Sequence, residues 1–457
     1  MATLEIKLSR SLRAGFVLAA TALALAACSM KPLSHARFGV HSAGPAPGAV
    51  AEGGTASPGS ALGASGSGPA AGAPASGGSA NQGYDAGTYD VTNPPPTFDA
   101  AISGMAHSDA GATQNGTPRS SVHIFNTAHS HADDPLMDDI VSIAQSLGSS
   151  AEYNEQIVIG SPMRVRTRGN NPDASGWAGY SLGKNRGGST GLNVIDELRA
   201  PATLSAGARY DVLLAVEAEG ILDAIRWEDS ARYVRHFHER LIEGNPAGTT
   251  YLYSAWLDID PADPAAFVSY ERDAIHAWEC LATRIDVSLA AEGRSDRLIV
   301  MPASLALAAL VERAYSAQGL TGITGATPST THSAIFRDDV HLQPVAMYYI
   351  ALVSYSAIFG SSPLGAWAPG GVSGATASEL QQLAWTTVSD YYATAQPFDL
   401  AGCSAFMRNG FCASYENRVG ASGATQGCDD YFARTDSSNG LYYDAANDAQ
   451  YWFPAPP

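Results

Sequence analysis

Val122-His123-Ile124-Phe125-Asn126-Thr127-Ala128 runs straight into His129-Ser130-His131, and the reading of that join decides the fold. The stretch up to Ala128 has the β-branched and aromatic content of a strand. The next stretch, Asp133–Leu147, has the amphipathic pattern of a helix. The alternation continues outward. Strands are predicted over Gln156–Gly160, Tyr210–Ala218, Thr249–Trp256 and Arg297–Met301. Helices are predicted over Asp229–Glu243, from Pro264 to about Ala291, over Ser304–Ala317 and over Gln343–Phe359. That rhythm predicts an α/β domain whose central parallel sheet carries helices on both faces. In such sheets ligands sit beyond the carboxyl ends of the strands, which is where 129–131 fall.

The amino terminus reads differently. Lys7, Arg10 and Arg13 precede an apolar run from Ala14 to Ala27 that is short for a bilayer span, the layout of a secretory signal. It closes with Leu25-Ala26-Ala27-Cys28, a lipobox in which small residues admit the signal peptidase and the Cys28 thiol takes up diacylglycerol. The expectation is an exported lipoprotein of the cell envelope, its acyl chains contributing roughly 0.8 kcal/mol per buried methylene. Ser29, where Asp would signal retention, points to the outer membrane. From about His41 to Arg119 the chain is Gly, Ala, Ser and Pro with scattered polar residues, too poor in apolar surface to build a core. It reads as a tether with a root-mean-square reach of roughly 50 Å. The expected divisions are a signal sequence at 1–27, a tether at 28–118, a catalytic-type domain at 119–362 and a C-terminal extension at 363–457.

The chain holds 26 Lys and Arg against 44 Asp and Glu, a net charge of −18. Loss of 1–27 removes Glu5, Lys7, Arg10 and Arg13, a net of +2, and leaves about −20. With no basic stripe to neutralise phosphates, nucleic acid is excluded as a partner. Of five cysteines, Cys28 goes to lipid, and Cys280, Cys403, Cys412 and Cys428 remain for disulfides in an oxidising compartment. Three pairings are possible, of which Cys403–Cys412, closing a short loop, is favoured.

Ser130 sits at a strand-to-helix turn, where a hydroxyl is exposed on top of the sheet and nearby N–H groups favour negative charge. Such a serine needs a base. Asp338-Asp339-Val340-His341 offers one, because an Asp three residues before a His in a tight turn reaches the imidazole Nδ1 and leaves Nε2 to take the serine proton. On its own Ser130 reads as a helix N-cap. Taken with Asp338 and His341 it reads as a nucleophile.

Four blocks carry a family resemblance. Besides the serine block, Ile159-Gly160-Ser161-Pro162 follows the second strand, Tyr210-Asp211-Val212-Leu213-Leu214-Ala215-Val216-Glu217 forms the third with Arg226-Trp227-Glu228-Asp229-Ser230 continuing it, and Asp338-Asp339-Val340-His341-Leu342 is the last. On these residues the segment from about 122 to 362 resembles the SGNH/GDSL hydrolase superfamily, most of all a bacterial branch whose nucleophile block reads Gly-His-Ser. The resemblance implies a flavodoxin-like three-layer sandwich and a Ser130–Asp338–His341 triad. It further implies an oxyanion held by the N–H groups of Ser130 and Gly160, an ester substrate such as an acylated polysaccharide, and no cofactor. Ala128 stands where the branch has Gly, Glu217 where the superfamily has an oxyanion-donating Asn, and Leu257 where a polar residue is expected. These departures keep a second reading open, a glycan-binding module that has lost catalysis.

Other polar groups are read as structural. His123, His129 and His131, clustered on one strand end, suggest metal, but no carboxylate completes an evident site, so no metal is expected. His236 and His238, on an Arg-rich helix, are expected at the surface. Asp258, Asp260 and Asp263 belong to a Pro-rich turn, because the Gly and terminal Glu of a calcium loop are missing. The glycine-rich stretch from Gly183 to Gly191 lacks the Gly-Lys-Ser/Thr order of a phosphate loop.

Overall fold

The computed structural model describes residues 118–170 and 176–454. The signal sequence 1–27, the lipidation residue Cys28 and all but the last residue of the expected tether lie outside the described residues. Seven strands are Ser121–Ala128 (β1), Ser150–Ile157 (β2), Gly183–Asn185 (β3), Thr190–Leu192 (β4), Val212–Val216 (β5), Thr249–Tyr253 (β6) and Leu298–Met301 (β7). They form one sheet in the order β4-β3-β2-β1-β5-β6-β7. β1, β2, β5, β6 and β7 are parallel, and β3 and β4 add an antiparallel edge. The chain steps from β1 to β2 on one side and later returns to the other side of β1 with β5. Winding direction therefore reverses between β1 and β5, which opens a crevice at their carboxyl ends.

β5 shows why the sheet is covered twice. Val212, Leu213, Leu214, Ala215 and Val216 are all fully buried, a continuous apolar run with no solvent face. Val212, Leu214 and Val216 join one core with Ile124, Tyr251 and Met301, beneath helices Leu136–Ser146 (α1), Ala303–Tyr315 (α7), Pro328–Ile335 (α8), Pro344–Phe359 (α9) and Gly374–Thr394 (α10). Leu213 and Ala215 join the other with Phe125, Leu252 and Val300, beneath Val194–Arg199 (α3), Ile221–Trp227 (α4), Ser230–Gly244 (α5) and Pro264–Ala291 (α6). Each fully buried Val or Leu contributes about 1.5–3 kcal/mol. α9 is apolar all round and buried from Ala346 to Phe359, as a helix sandwiched between layers must be. Among the described residues no helix is long and apolar enough to cross a membrane.

Several expectations are corrected. β2 begins at Ser150, well before the predicted Gln156, in sequence too polar to read as a buried strand. Its buried polar groups have partners: Asn154 Nδ2 donates to Tyr210 Oη (2.6 Å), Gln156 Nε2 to the Arg166 carbonyl (2.9 Å), and Glu155 pairs with Lys184 Nζ (2.9 Å). The glycine-rich stretch forms the β3–β4 hairpin, turning at Gly188, whose φ of 83° suits glycine.

The favoured Cys403–Cys412 disulfide does not form; Cys280 pairs with Cys403 and Cys412 with Cys428, at Cα separations of 5.6 and 5.7 Å. Cys403 lies on Leu400–Phe406 (α11) and Cys412 opens Cys412–Arg418 (α12). The path between them is helical except at Asn409 and Gly410. Its rise of about 13 Å exceeds the roughly 7 Å a disulfide spans. The Cys280 bridge ties the C-terminal extension to α6. Cys428, on Thr425–Phe432 (α13), joins the same core as Phe411, Tyr415 and Phe432.

Candidate active site

The crevice between β1 and β5 is furnished from the strand ends. After β1, His129 is extended (φ −120°, ψ −161°) and Ser130–Ala132 make one tight turn, closed by the Ala132 N–H on the His129 carbonyl (3.1 Å). Asn126 Nδ2 donates to the Ala132 carbonyl (3.0 Å) and Tyr253 Oη to that of His131 (3.2 Å), so β1 itself and β6 hold the turn. Ser130 is half-buried. It does not cap α1, whose N-cap is Pro135.

The loop before α9 reaches the same place. The His131 ring stacks on Trp256, just beyond β6, with centroids 4.3 Å apart and planes 8° apart. The Trp256 indole N–H donates to the Val340 carbonyl (2.9 Å), and the Ile259 N–H to the Asp339 carbonyl (2.7 Å). Within this loop Asp338 Oδ1 accepts the backbone N–H groups of Val340 (2.9 Å) and His341 (2.7 Å), while Oδ2 lies 2.7 Å from His341 Nδ1. The expected Asp338–His341 contact is formed, and a chain of Val340, Trp256 and His131 connects it to the turn that carries Ser130.

Electrostatics follow from burial. Partial burial pushes the Asp338 carboxyl up, but the N–H groups of His341 and Val340 and then the His341 ring outweigh it and hold the group below the usual carboxylate range. Burial, then the Arg166 charge, push His129 down to about 3. His131 is lowered well below an ordinary histidine by burial first, with the nearby His129 and His341 rings pushing the same way. Both rings are neutral at physiological pH. His129 Nε2 sits 3.0 Å from the Glu217 carbonyl oxygen, so it carries the hydrogen and donates. Glu219 is raised by burial, with its own backbone N–H and the His341 charge opposing.

The other predicted residues take definite places. Gly160 ends the β2 loop in an exposed turn at φ 63°, a conformation that glycine adopts without strain. Glu217 is fully buried, and its Oε1 accepts the N–H groups of Met163 (2.9 Å) and Ala218 (2.8 Å). That side chain pins the start of Met163–Arg168 (α2). Burial raises its carboxyl, against the Arg166 charge and those N–H groups. Arg166, also fully buried, donates to the Ser161 carbonyl (3.1 Å) and to that of Val216, lacing the ends of β2 and β5 together.

Three histidine readings change. His123 is not part of the cluster with His129 and His131, because it lies near the opposite end of β1, where its Nδ1 is 2.9 Å from Asp211 Oδ2. His236 and His238 are buried: His236 stacks on Trp177 (4.0 Å) and His238 bonds Asp296 Oδ2 (2.7 Å). Groups distant in sequence cover that helix face. A carboxylate does complete the His129–His131 pair. Glu219, just past β5, offers an atom within 4.8 Å of one from each histidine. Spacing alone missed it because its proximity comes from β5 lying beside β1. The predicted turn at 258–263 holds, with the Asp263 side chain capping α6 at the Ala266 N–H (3.1 Å).

A cavity of about 440 Å³ lies at the other end of the sheet, lined by His123, Glu152, Tyr153, Asn154, Arg186 and Thr203 among others. It is away from the switch crevice.

No family model and no curated protein matches the chain. Among solved structures, the chain is similar to a DUF4886 family protein from Bacteroides uniformis, with 13% identity and a TM-score of 0.39 over 62% of this chain and 99% of that one.

Proposed function

We propose that this protein is a serine ester hydrolase of the SGNH type, exported and held in the cell envelope by lipid on Cys28, acting on acyl groups such as those of an acylated polysaccharide. The observation that carries the reading is the Asp338–His341 contact of 2.7 Å, on a loop docked through Trp256 against the turn bearing Ser130. The parallel strands alone run β2-β1-β5-β6-β7, the 2-1-3-4-5 order of a flavodoxin-like sheet, and the polar groups stand at its switch point.

In this mechanism Ser130 Oγ attacks the ester carbonyl carbon while His341 Nε2 takes the hydroxyl proton. Asp338 holds the ring through Nδ1 and stabilises the imidazolium. The backbone N–H groups of Ser130 and Gly160 receive the oxyanion. Collapse of the tetrahedral intermediate breaks the ester C–O bond, and His341 returns the proton to the departing alcohol. Water then attacks the acyl-Ser130 ester with His341 as base, releasing the acid and the free serine. Glu217, with Oε1 engaged by two backbone N–H groups, is a positioning residue for the glycine loop. The fully buried Arg166 shares that task.

The test is turnover of p-nitrophenyl acetate by the chain lacking its signal sequence, unmodified and as Ser130→Ala. The expected result is turnover that the substitution abolishes while the circular dichroism spectrum is unchanged. Equal background rates in both would sink the reading and leave the non-catalytic glycan-binding module in its place.

A further inference from the structure

The turn after β1 and the end of β5 hold a second arrangement that the serine mechanism does not use. His129 and His131 flank Ser130, are 1% and 2% exposed, and each carries a buried Nδ1 with no hydrogen-bond partner. Glu219 is half-buried and reaches them from the adjacent strand end, so that one ligating atom from each of the three lies within 4.8 Å of the others. A buried imidazole nitrogen normally finds a donor or a water. Two such lone pairs beside a carboxylate are the donor set of a metal ion. We propose that His129, His131 and Glu219 bind one divalent transition-metal ion, zinc fitting best.

The chemistry selects the ion. Two imidazoles and one carboxylate suit zinc, whereas calcium and magnesium take all-oxygen sets. A tetrahedral zinc ion with bonds of about 2.0–2.1 Å sets its ligands about 3.3 Å apart. The atoms therefore need to close by at most about 1.5 Å from their 4.8 Å limit. Glu219, on a loop past the strand, can move toward the histidines by side-chain rotation. Each histidine is held in its orientation by a contact of its own. His129 donates Nε2–H to the Glu217 carbonyl at 3.0 Å, the outer hydrogen bond that orients a ligating imidazole and leaves its Nδ1 lone pair free. His131 is fixed by its stack on Trp256. The set leaves a fourth position open, as in zinc sites that bind a water or a substrate oxygen.

The experiment measures binding, and so stands apart from any test of ester hydrolysis. The chain lacking its signal sequence is stripped with a chelator, dialysed against Zn²⁺, and assayed for bound metal. Cobalt(II) replaces zinc in a parallel sample, where the visible spectrum reports ligand geometry. The expected result is one ion per chain and a tetrahedral-type cobalt spectrum. Loss of a supporting hydrogen bond around a metal costs roughly 10–100-fold in affinity, so Glu219→Gln and His131→Gln should each weaken binding by about 100-fold or more. His123→Ala, at the other end of β1, should bind as the unmodified chain does. If His131→Gln does not fold, Glu219→Gln decides alone, since Glu219 lies on a loop. No stoichiometric binding, undiminished binding by Glu219→Gln, or binding lost in His123→Ala would each overturn the proposal.

Discussion

The two ends of β1 carry nearly the same chemistry and are arranged for different work. At the amino end His123 Nδ1 lies 2.9 Å from Asp211 Oδ2 and its Nε2 3.8 Å from Glu152 Oε2, with the hydroxyls of Ser121 and Ser150 nearby. At the carboxyl end His341 Nδ1 lies 2.7 Å from Asp338 Oδ2, on the loop docked beside the turn of Ser130. Serine, histidine and aspartate alone do not separate the two. Their engagement does. Ser150 Oγ donates to Ser121 Oγ (2.9 Å), and Asp211 Oδ2 is shared between the ring and the backbone N–H of His123 (2.9 Å). Those groups satisfy one another across the strand starts. The carboxyl-end groups stand over the crevice where winding reverses, with the Asp338 oxygens divided between loop backbone and ring.

The largest effect that would break or sharpen this contrast is on turnover. His341→Ala should lower kcat for p-nitrophenyl acetate by about 10⁶-fold, the scale of losing the base from such a triad. His123→Ala should change it by no more than about twofold, as expected of a substitution remote from the site. Comparable losses in both would erase the distinction. One step smaller, Asp338→Asn should cost about 10⁴-fold through loss of the correct imidazole tautomer, with Asp211→Asn near neutral in the same assay.

A third effect concerns stability under the carboxyl end. The Leu257 N–H, next to Trp256, donates to Glu271 Oε1 (2.9 Å), and burial raises this fully buried carboxyl from 4.5 to about 8. The folded chain keeps the Glu271 proton where the unfolded chain has lost it. Its contribution is therefore complete below about 4.5 and is lost as pH rises toward about 8, at up to about 1.4 kcal/mol per pH unit. Relative to the unmodified chain, Glu271→Gln should gain stability at about pH 8 and lose that gain near pH 4.5, read from urea midpoints across that range. A flat difference would show that this carboxyl titrates normally.

The smallest contrast pairs two glycines. Gly160 (φ 63°) follows β2, Gly148 (φ 78°) precedes it, and a Cβ at either meets nothing within 4 Å. Alanine at each should cost about 1–2 kcal/mol of strain, seen as a few degrees of melting temperature. Only Gly160→Ala should also slow turnover.

Much of this was legible. β5 and β6 announced themselves as apolar runs, and α6 as a long helical stretch opening at Pro264. Asp338 and His341 were readable as a pair because they lie only three positions apart, so local turn geometry suffices. What stayed hidden depends on neighbours distant in sequence. Glu219 meets His129 and His131 only because β5 lies beside β1. The polar second half of β2, Asn154 to Gln156, is buried because Tyr210, Arg166 and Lys184 come to meet it. His236 reads as a surface residue until Trp177 stacks on it. The disulfides followed helix geometry instead of the shortest loop.

The most direct test of the central claim is covalent labelling by a fluorophosphonate, mapped by mass spectrometry. The account predicts a single adduct on Ser130 of the unmodified chain, absent in His341→Ala and retained in His123→Ala. An adduct on Ser121 or Ser150, or none on Ser130, would contradict it.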